Sequence, residues 1–94
     1  MTGQLEDRVA VITGAGEGIG RGIASAFVKE GAKVVIAEID AGLGNAAVSE
    51  LGENAIFVET DVSVKEDNER MIAAAVDQWG TLDILVNNAW GGGA

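Results

Sequence analysis

Eight consecutive residues, Thr13-Gly14-Ala15-Gly16-Glu17-Gly18-Ile19-Gly20, place four glycines between an apolar run and an amphipathic stretch. That arrangement suits the binding of an anion. The first turn of a helix leaves N–H groups without partners and carries about half a positive charge. Glycine lets the chain turn with positive φ and lets a ligand approach the backbone. A final glycine lets the helix lie close to the strand before it. The spacing is Gly14-x3-Gly18-x-Gly20, not G-x-G-x-x-G, because Ile occupies position 19. It is not a P-loop either, since Arg21-Gly22 stands where Lys-Ser/Thr is required. From the residues alone, a ligand-free tight turn between strand and helix is the alternative. Glu38 ends the next apolar run, close to the ~20-residue offset of a ribose-binding acid, where a carboxylate accepts from both ribose hydroxyls.

The rest of the inventory excludes other chemistries. The 94 residues contain no His, Cys, Pro or Tyr. Zinc and haem sites of the usual ligand types, thiolate nucleophiles, imidazole acid–base catalysis and disulfides are therefore ruled out. With 15 acidic against 6 basic residues the net charge is −9, which disfavours nucleic acid and anionic membrane surfaces as partners. No run approaches the ~18 apolar residues of a membrane span. Residues 1–7 lack the basic and apolar regions of a secretory signal, so a cytoplasmic location is expected.

The elements that must position these residues follow from hydrophobic patterning. Val9–Ile12, Lys33–Glu38, Ala55–Glu59 and Leu82–Asn87 read as strands, the first two buried on both faces. Between them lie three helical patterns. The first presents Ile23, Ala24, Phe27 and Val28 inward and stops at Gly31. The second is capped by Asp40 and runs to about Leu51, with Leu43, Ala47, Val48 and Leu51 inward; Gly42 and Gly44 each weaken it by ~1 kcal/mol relative to Ala. The third opens on a capping box, Ser63-Val-Lys-Glu66, and turns Met71, Ile72, Ala75, Val76 and Trp79 inward before Gly80 ends it. Its Lys65–Glu69 and Glu66–Arg70 spacings describe a solvated face with ordinary i,i+4 pairs. The β-α-β-α-β-α-β order predicts an α/β fold: a Rossmann-type three-layer sandwich whose parallel sheet has strand order 3-2-1-4.

Three motifs resemble the short-chain dehydrogenase/reductase family: Thr13-Gly14-x3-Gly18-Ile19-Gly20, Asp61-Val62 and Asn87-Asn88-Ala89, each at the C-terminal end of a predicted strand. The resemblance covers essentially all 94 residues but only the N-terminal part of a family domain, which usually runs to about 250 residues. It implies a nicotinamide dinucleotide as cofactor. Gly14, Ala15, Gly16, Glu17, Gly18, Ile19 and Gly20 would line the pyrophosphate and adenosine ribose, largely through backbone. Asp61 would accept from the adenine amino group, Val62 N–H would face a ring nitrogen, and Asn88 and Ala89 would meet the nicotinamide ribose. Asn87 is expected to brace the sheet. Trp90 replaces the motif's last glycine.

NAD is expected over NADP. Glu38 would repel a 2′-phosphate, at about 4 kcal/mol per charge pair for ~4 Å and an effective dielectric of ~20 before screening. Glu17 adds a second negative charge, and Arg21 and Lys33 are the nearby cations that oppose the preference. The family's chemistry is hydride transfer between nicotinamide and an alcohol or ketone, assisted by a Tyr, a Lys four residues later and a Ser. With no Tyr, the chain is expected to be a truncated half-domain, inactive by itself, meeting a small-molecule substrate only in the complete protein. Exposure of the fourth strand's edge, with Ile84 and Val86, is expected to drive homo-oligomerisation. A non-enzymatic nucleotide-binding or oligomerisation module on the same half-fold is the alternative. A receiver-like or flavodoxin-like domain is a further one, opposed by the glycine-rich turn.

Overall fold

The computed structural model describes residues 3–89. Four strands, β1 (Val9–Thr13), β2 (Lys33–Glu38), β3 (Ala55–Glu59) and β4 (Ile84–Val86), alternate with three helices, α1 (Gly18–Lys29), α2 (Ala41–Leu51) and α3 (Lys65–Trp79). The sheet order is β3-β2-β1-β4 and every pairing is parallel. Continuous β-branched runs form the two central strands because both faces are covered. Ala10, Ile12, Val34 and Ile36 pack on one side with Ala24 of α1 and Ala47 of α2, while Val9, Val11, Val35 and Ala37 pack on the other with Met71 and Ala75 of α3. The register sets Thr13 beside Ala37 and Glu38 beside Glu59, so the strand ends that carry the candidate residues lie along one edge of the sheet.

Local details decide how each element begins and ends. Asp40 caps α2 as expected, its Oδ1 accepting from Leu43 N at 3.0 Å. Gly44 is more than a weak point in that helix: a Cβ there would run into the Phe57 ring, so its absence seats α2 on β3. The predicted capping box of α3 does not form. The cap position is Val64, without a side-chain cap, and Ser63 Oγ donates instead to Asp61 Oδ1 at 2.6 Å. A nearer carboxylate has taken the hydroxyl before the helix begins. The expected i,i+4 pairs of α3 also give way: Arg70 meets Asp67 at 3.1 Å and donates to the Glu59 carbonyl at 2.7 Å.

Two expectations about apolar exposure need correction. Ile72 and Val76 of α3 are exposed, because that helix turns only the narrower Met71–Ala75 stripe, with Trp79, onto the sheet. On β4, Ile84 and Val86 pack against the α1 side of the core, and the exposed residue is Leu85 between them. β4 is also shorter than predicted. At its start Asp83 leaves the ladder to hold β1: Asp83 Oδ2 accepts from Val9 N at 2.9 Å and Asp83 N donates to Val9 O at 2.9 Å. No helix among the described residues is long and apolar enough to cross a membrane. Trp90 lies outside the described residues.

The Asp83–Val9 bond predicts a measurable loss. Asp83→Ala leaves the amide of a buried residue without its acceptor and should lower unfolding free energy by about 1–3 kcal/mol in a urea titration. A change within a few tenths would contradict it.

Candidate functional site

The glycine turn connects β1 to α1, and its shape rests on the positive φ of Gly14 and Gly18 and on the close approach at Gly20. Gly14 has φ +65°, in the region that L side chains rarely adopt, and a Cβ on it would lie 3.1 Å from both Ala89 Cβ and Asn88 Nδ2. A Cβ on Gly20 would collide with the Gly14 carbonyl and lie 2.6 Å from Asn88 Nδ2. The first turn of α1 therefore sits directly on the end of β1, and the chain after β4 closes over both.

The turn's amides divide into two sets. Gly14 N donates to Ala37 O at 2.8 Å and continues the sheet. Gly16 N donates to Glu38 Oε1 at 2.9 Å. Ala15 has no exposed surface and packs into the core beneath the turn. Glu17, Gly18 and Ile19 are exposed, Ile19 to 78%, and among the described residues no protein group accepts from their amides. Glu17 is the N-cap of α1 in extended conformation, its side chain caps nothing, and the first turn holds no acid. In contrast, α2 is capped by Asp40 and α3 carries Glu66 and Asp67 in its first turn. The positive end of α1 is thus left for an external anion, the state in which a helix N-terminus binds phosphate.

Glu38 stands beside this opening. It is only 7% exposed, and its two oxygens accept from Gly16 N and, at 3.1 Å, from Asp40 N. Fixed in this way, the carboxylate keeps lone pairs for hydroxyl donors. Lys33, one cation expected to oppose a preference for NAD, begins β2 at the opposite end of the strand and lies 3.8 Å from Asp7.

Past β3, Asp61 N donates to Asp67 Oδ2 at 2.9 Å and Val62 O accepts from Asn68 Nδ2 at 2.9 Å, so residues of α3 hold the Asp61–Val62 segment from behind. Among the described residues Val62 N has no protein acceptor. Hydrogen bonds from the Ser63 hydroxyl and amide hold the Asp61 carboxyl below its ordinary value, keeping it an acceptor near neutral pH.

After β4, Asn88 rather than Asn87 makes the bracing contact. Asn88 Nδ2 donates to Gly14 O at 3.3 Å, whereas Asn87 is exposed. Thr13 has a role here that its place in the glycine motif does not disclose. Thr13, fully buried, donates through Oγ1 to Val86 O at 3.3 Å and accepts there from Asn88 N at 2.9 Å and Ala89 N at 3.0 Å. A hydroxyl closing an otherwise apolar strand was the available signal. Arg21, expected as a cation opposing the preference for NAD, does stand near the turn: its Nη1 donates to the Gly16 carbonyl at 3.3 Å. The geometry thus brings together the Glu17–Ile19 amides, Glu38, Asp61-Val62 and Asn88-Ala89 along the C-terminal edge of the sheet, where open α/β sheets bind their ligands.

Comparison with known proteins bears on the family and the fold. The short chain dehydrogenase family model matches residues 8–93. Sorbitol dehydrogenase of Cereibacter sphaeroides is 43% identical over 86 residues, covering 92% of this chain and 34% of that protein. Tropinone reductase-like 1 of Erythroxylum coca is 44% identical over 86 residues, covering 92% and 32%. Among solved structures, 3-ketoacyl-(acyl-carrier-protein) reductase from Brucella melitensis complexed with NADH superposes with a TM-score of 0.85 at 43% identity, covering 87% of this chain and 34% of that one. Hydroxysteroid dehydrogenase from Escherichia coli gives 0.86 at 39% identity, covering 90% and 37%. The chain spans about a third of the length of these relatives.

The Asp61–Ser63 turn carries a pH prediction. A carboxyl whose folded pKa is depressed contributes stability above its unfolded value, and that contribution is lost as pH falls through the folded one. Followed by NMR, Asp61 should titrate below the ordinary 3.8, and Ser63→Ala should move it back up. An unchanged titration in Ser63→Ala would contradict the assignment.

Proposed function

The chain belongs to the short chain dehydrogenase family, and on that premise we propose that these 94 residues bind a nicotinamide dinucleotide, NAD in preference to NADP, for an oxidoreductase. The observation that carries the reading is the uncapped N-terminus of α1, with the amides of Glu17, Gly18 and Ile19 free among the described residues and a fixed carboxylate, Glu38, at its side. The donor set fits the group. Gly18 and Ile19 would donate to the pyrophosphate, where the helix dipole also acts. Glu38 would accept from the adenosine ribose hydroxyls. Asp61 would accept from the adenine amino group while Val62 N–H meets a ring nitrogen. Asn88 and Ala89, held by Gly14 and Thr13, would border the nicotinamide ribose. Gly14, Gly16 and Gly20 act by the close approaches they permit, and Ala15 by filling the core below.

When bound, the dinucleotide supplies or accepts a hydride at an alcohol or ketone carbon. The acid–base group that accompanies this step in the family is a Tyr, and the sequence contains none. The role of this segment is therefore to bind and orient, and by itself it is expected to turn over no substrate. The preference for NAD rests on charge. A 2′-phosphate would lie against Glu38, whose place is already taken up by Gly16 N and Asp40 N, with Glu17 exposed nearby.

Calorimetric titration of the purified chain tests the reading. NAD should bind at least about tenfold more tightly than NADP, a difference of about 1.4 kcal/mol. Glu38→Ala should narrow the gap mainly by improving NADP. Absence of binding by either dinucleotide, or equal affinity for both, would overturn it.

A further inference from the structure

Gly16 is held from both ends of its backbone. Its amide goes to Glu38, and its carbonyl accepts from Arg21 Nη1. Arg21 is in turn drawn toward α2, where its Nη2 lies 2.8 Å from Glu50 Oε2. A Cβ on Gly16 would fall 2.7 Å from Glu38 Oε1 and 2.8 Å from Leu43 Cβ, so the residue fills the gap between the turn, the carboxylate and α2. Glu38, Gly16, Arg21 and Glu50 thus form one continuous polar chain, running from the ribose-binding carboxylate to the outer surface of α2.

The middle of that chain is not saturated. Arg21 Nε is buried and has no hydrogen-bond partner among the described residues. A guanidinium always carries its charge, and its planar fork of five donors matches phosphate oxygens. Its side chain remains 25% exposed, beside the residue whose amide orients Glu38. The other described cations stand further off: Arg8 and Lys33 sit where β1 and β2 begin, Lys29 ends α1, and Lys65 and Arg70 lie on α3, across the sheet from α1 and α2.

We infer that Glu50 is a positioning residue for cofactor selectivity. By holding and neutralising the Arg21 guanidinium against α2, it withholds from an adenosine 2′-phosphate the cation that Gly16 links to Glu38. Discrimination against the phosphate then has two sources: direct repulsion by Glu38, and sequestration of Arg21 by a carboxylate that touches no part of the dinucleotide. The inference rests on the binding of dinucleotides proposed above.

The test is calorimetric titration of the purified chain and its variants with NAD and with NADP. Glu50 is 68% exposed and its side chain caps no helix, so Glu50→Gln is expected to fold; circular dichroism checks this. Glu50→Gln should improve NADP affinity by about three- to fivefold, the scale of a largely exposed charge interaction, and leave NAD affinity almost unchanged. Glu50→Asp, which keeps the charge, should retain most of the discrimination. In an Arg21→Gln background the Glu50→Gln change should have no effect on the ratio, as a double-mutant cycle requires. A merely structural role for the ion pair would alter both affinities together. An unchanged ratio in Glu50→Gln, or an equal shift for both dinucleotides, overturns the inference while leaving the proposed function intact. Failure of the unaltered chain to bind either dinucleotide removes both.

Discussion

The close approach of Gly20 to the Gly14 carbonyl is the constraint on which the site depends. Any side chain at position 20 would occupy the space of that carbonyl and of Asn88 Nδ2. Because nothing is there, α1 starts directly on the end of β1. Its unpaired amides then open at the edge of the sheet instead of being lifted away from it. Packing of the helix behind the turn needs no unusual device: Ala24 is buried against the sheet, and Ile23, Phe27 and Val28 lie partly buried around it. The orientation of the helix dipole is thus a consequence of one missing methyl group and an ordinary apolar stripe.

Around that start, polar groups are arranged so that each serves a neighbour. Thr13 Oγ1 gathers the amides of Asn88 and Ala89 to the end of β1. Asn88 returns a hydrogen bond to Gly14. Glu38 secures the Gly16 amide, and Asp67 secures the Asp61 amide. Buried polar atoms are costly when unpaired, so these bonds hold the strand ends in register with one another. Among the described residues, the exposed amides of Glu17, Gly18 and Ile19 stay without a protein acceptor. The same logic runs outward through Arg21 to Glu50 on α2.

Much of this was legible in the sequence because the strands are buried on both faces or one. Continuous apolar runs marked β1 and β2, and the alternation of runs with helical stripes yielded the parallel order β3-β2-β1-β4. The Asp40 cap was read correctly because its spacing to Leu43 is local. Errors arose where a competing partner came from outside the local pattern. Ser63 matched a capping box, but Asp61 two residues earlier claimed it. Ile72 and Val76 matched the stripe of α3, but the helix turns only its Met71–Ala75 line, with Trp79, onto the sheet. Asn87 and Asn88 are chemically identical, and only the contact with Gly14, 74 residues away in sequence, distinguishes the bracing one. The grip of Glu38 on Gly16 spans 22 residues and was equally invisible to local spacing. It also reduces the number of open amides in the turn from those expected, since Gly14 and Gly16 are already engaged.

Backbone amide NMR during titration with ADP-ribose, which carries the diphosphate without the nicotinamide, interrogates the opening of α1 residue by residue. The account predicts the largest shifts at Glu17, Gly18 and Ile19, with smaller ones at Val62, while Gly14 stays bonded to Ala37 and moves little. Shifts that spare the start of α1 and appear on another face of the sheet would contradict it.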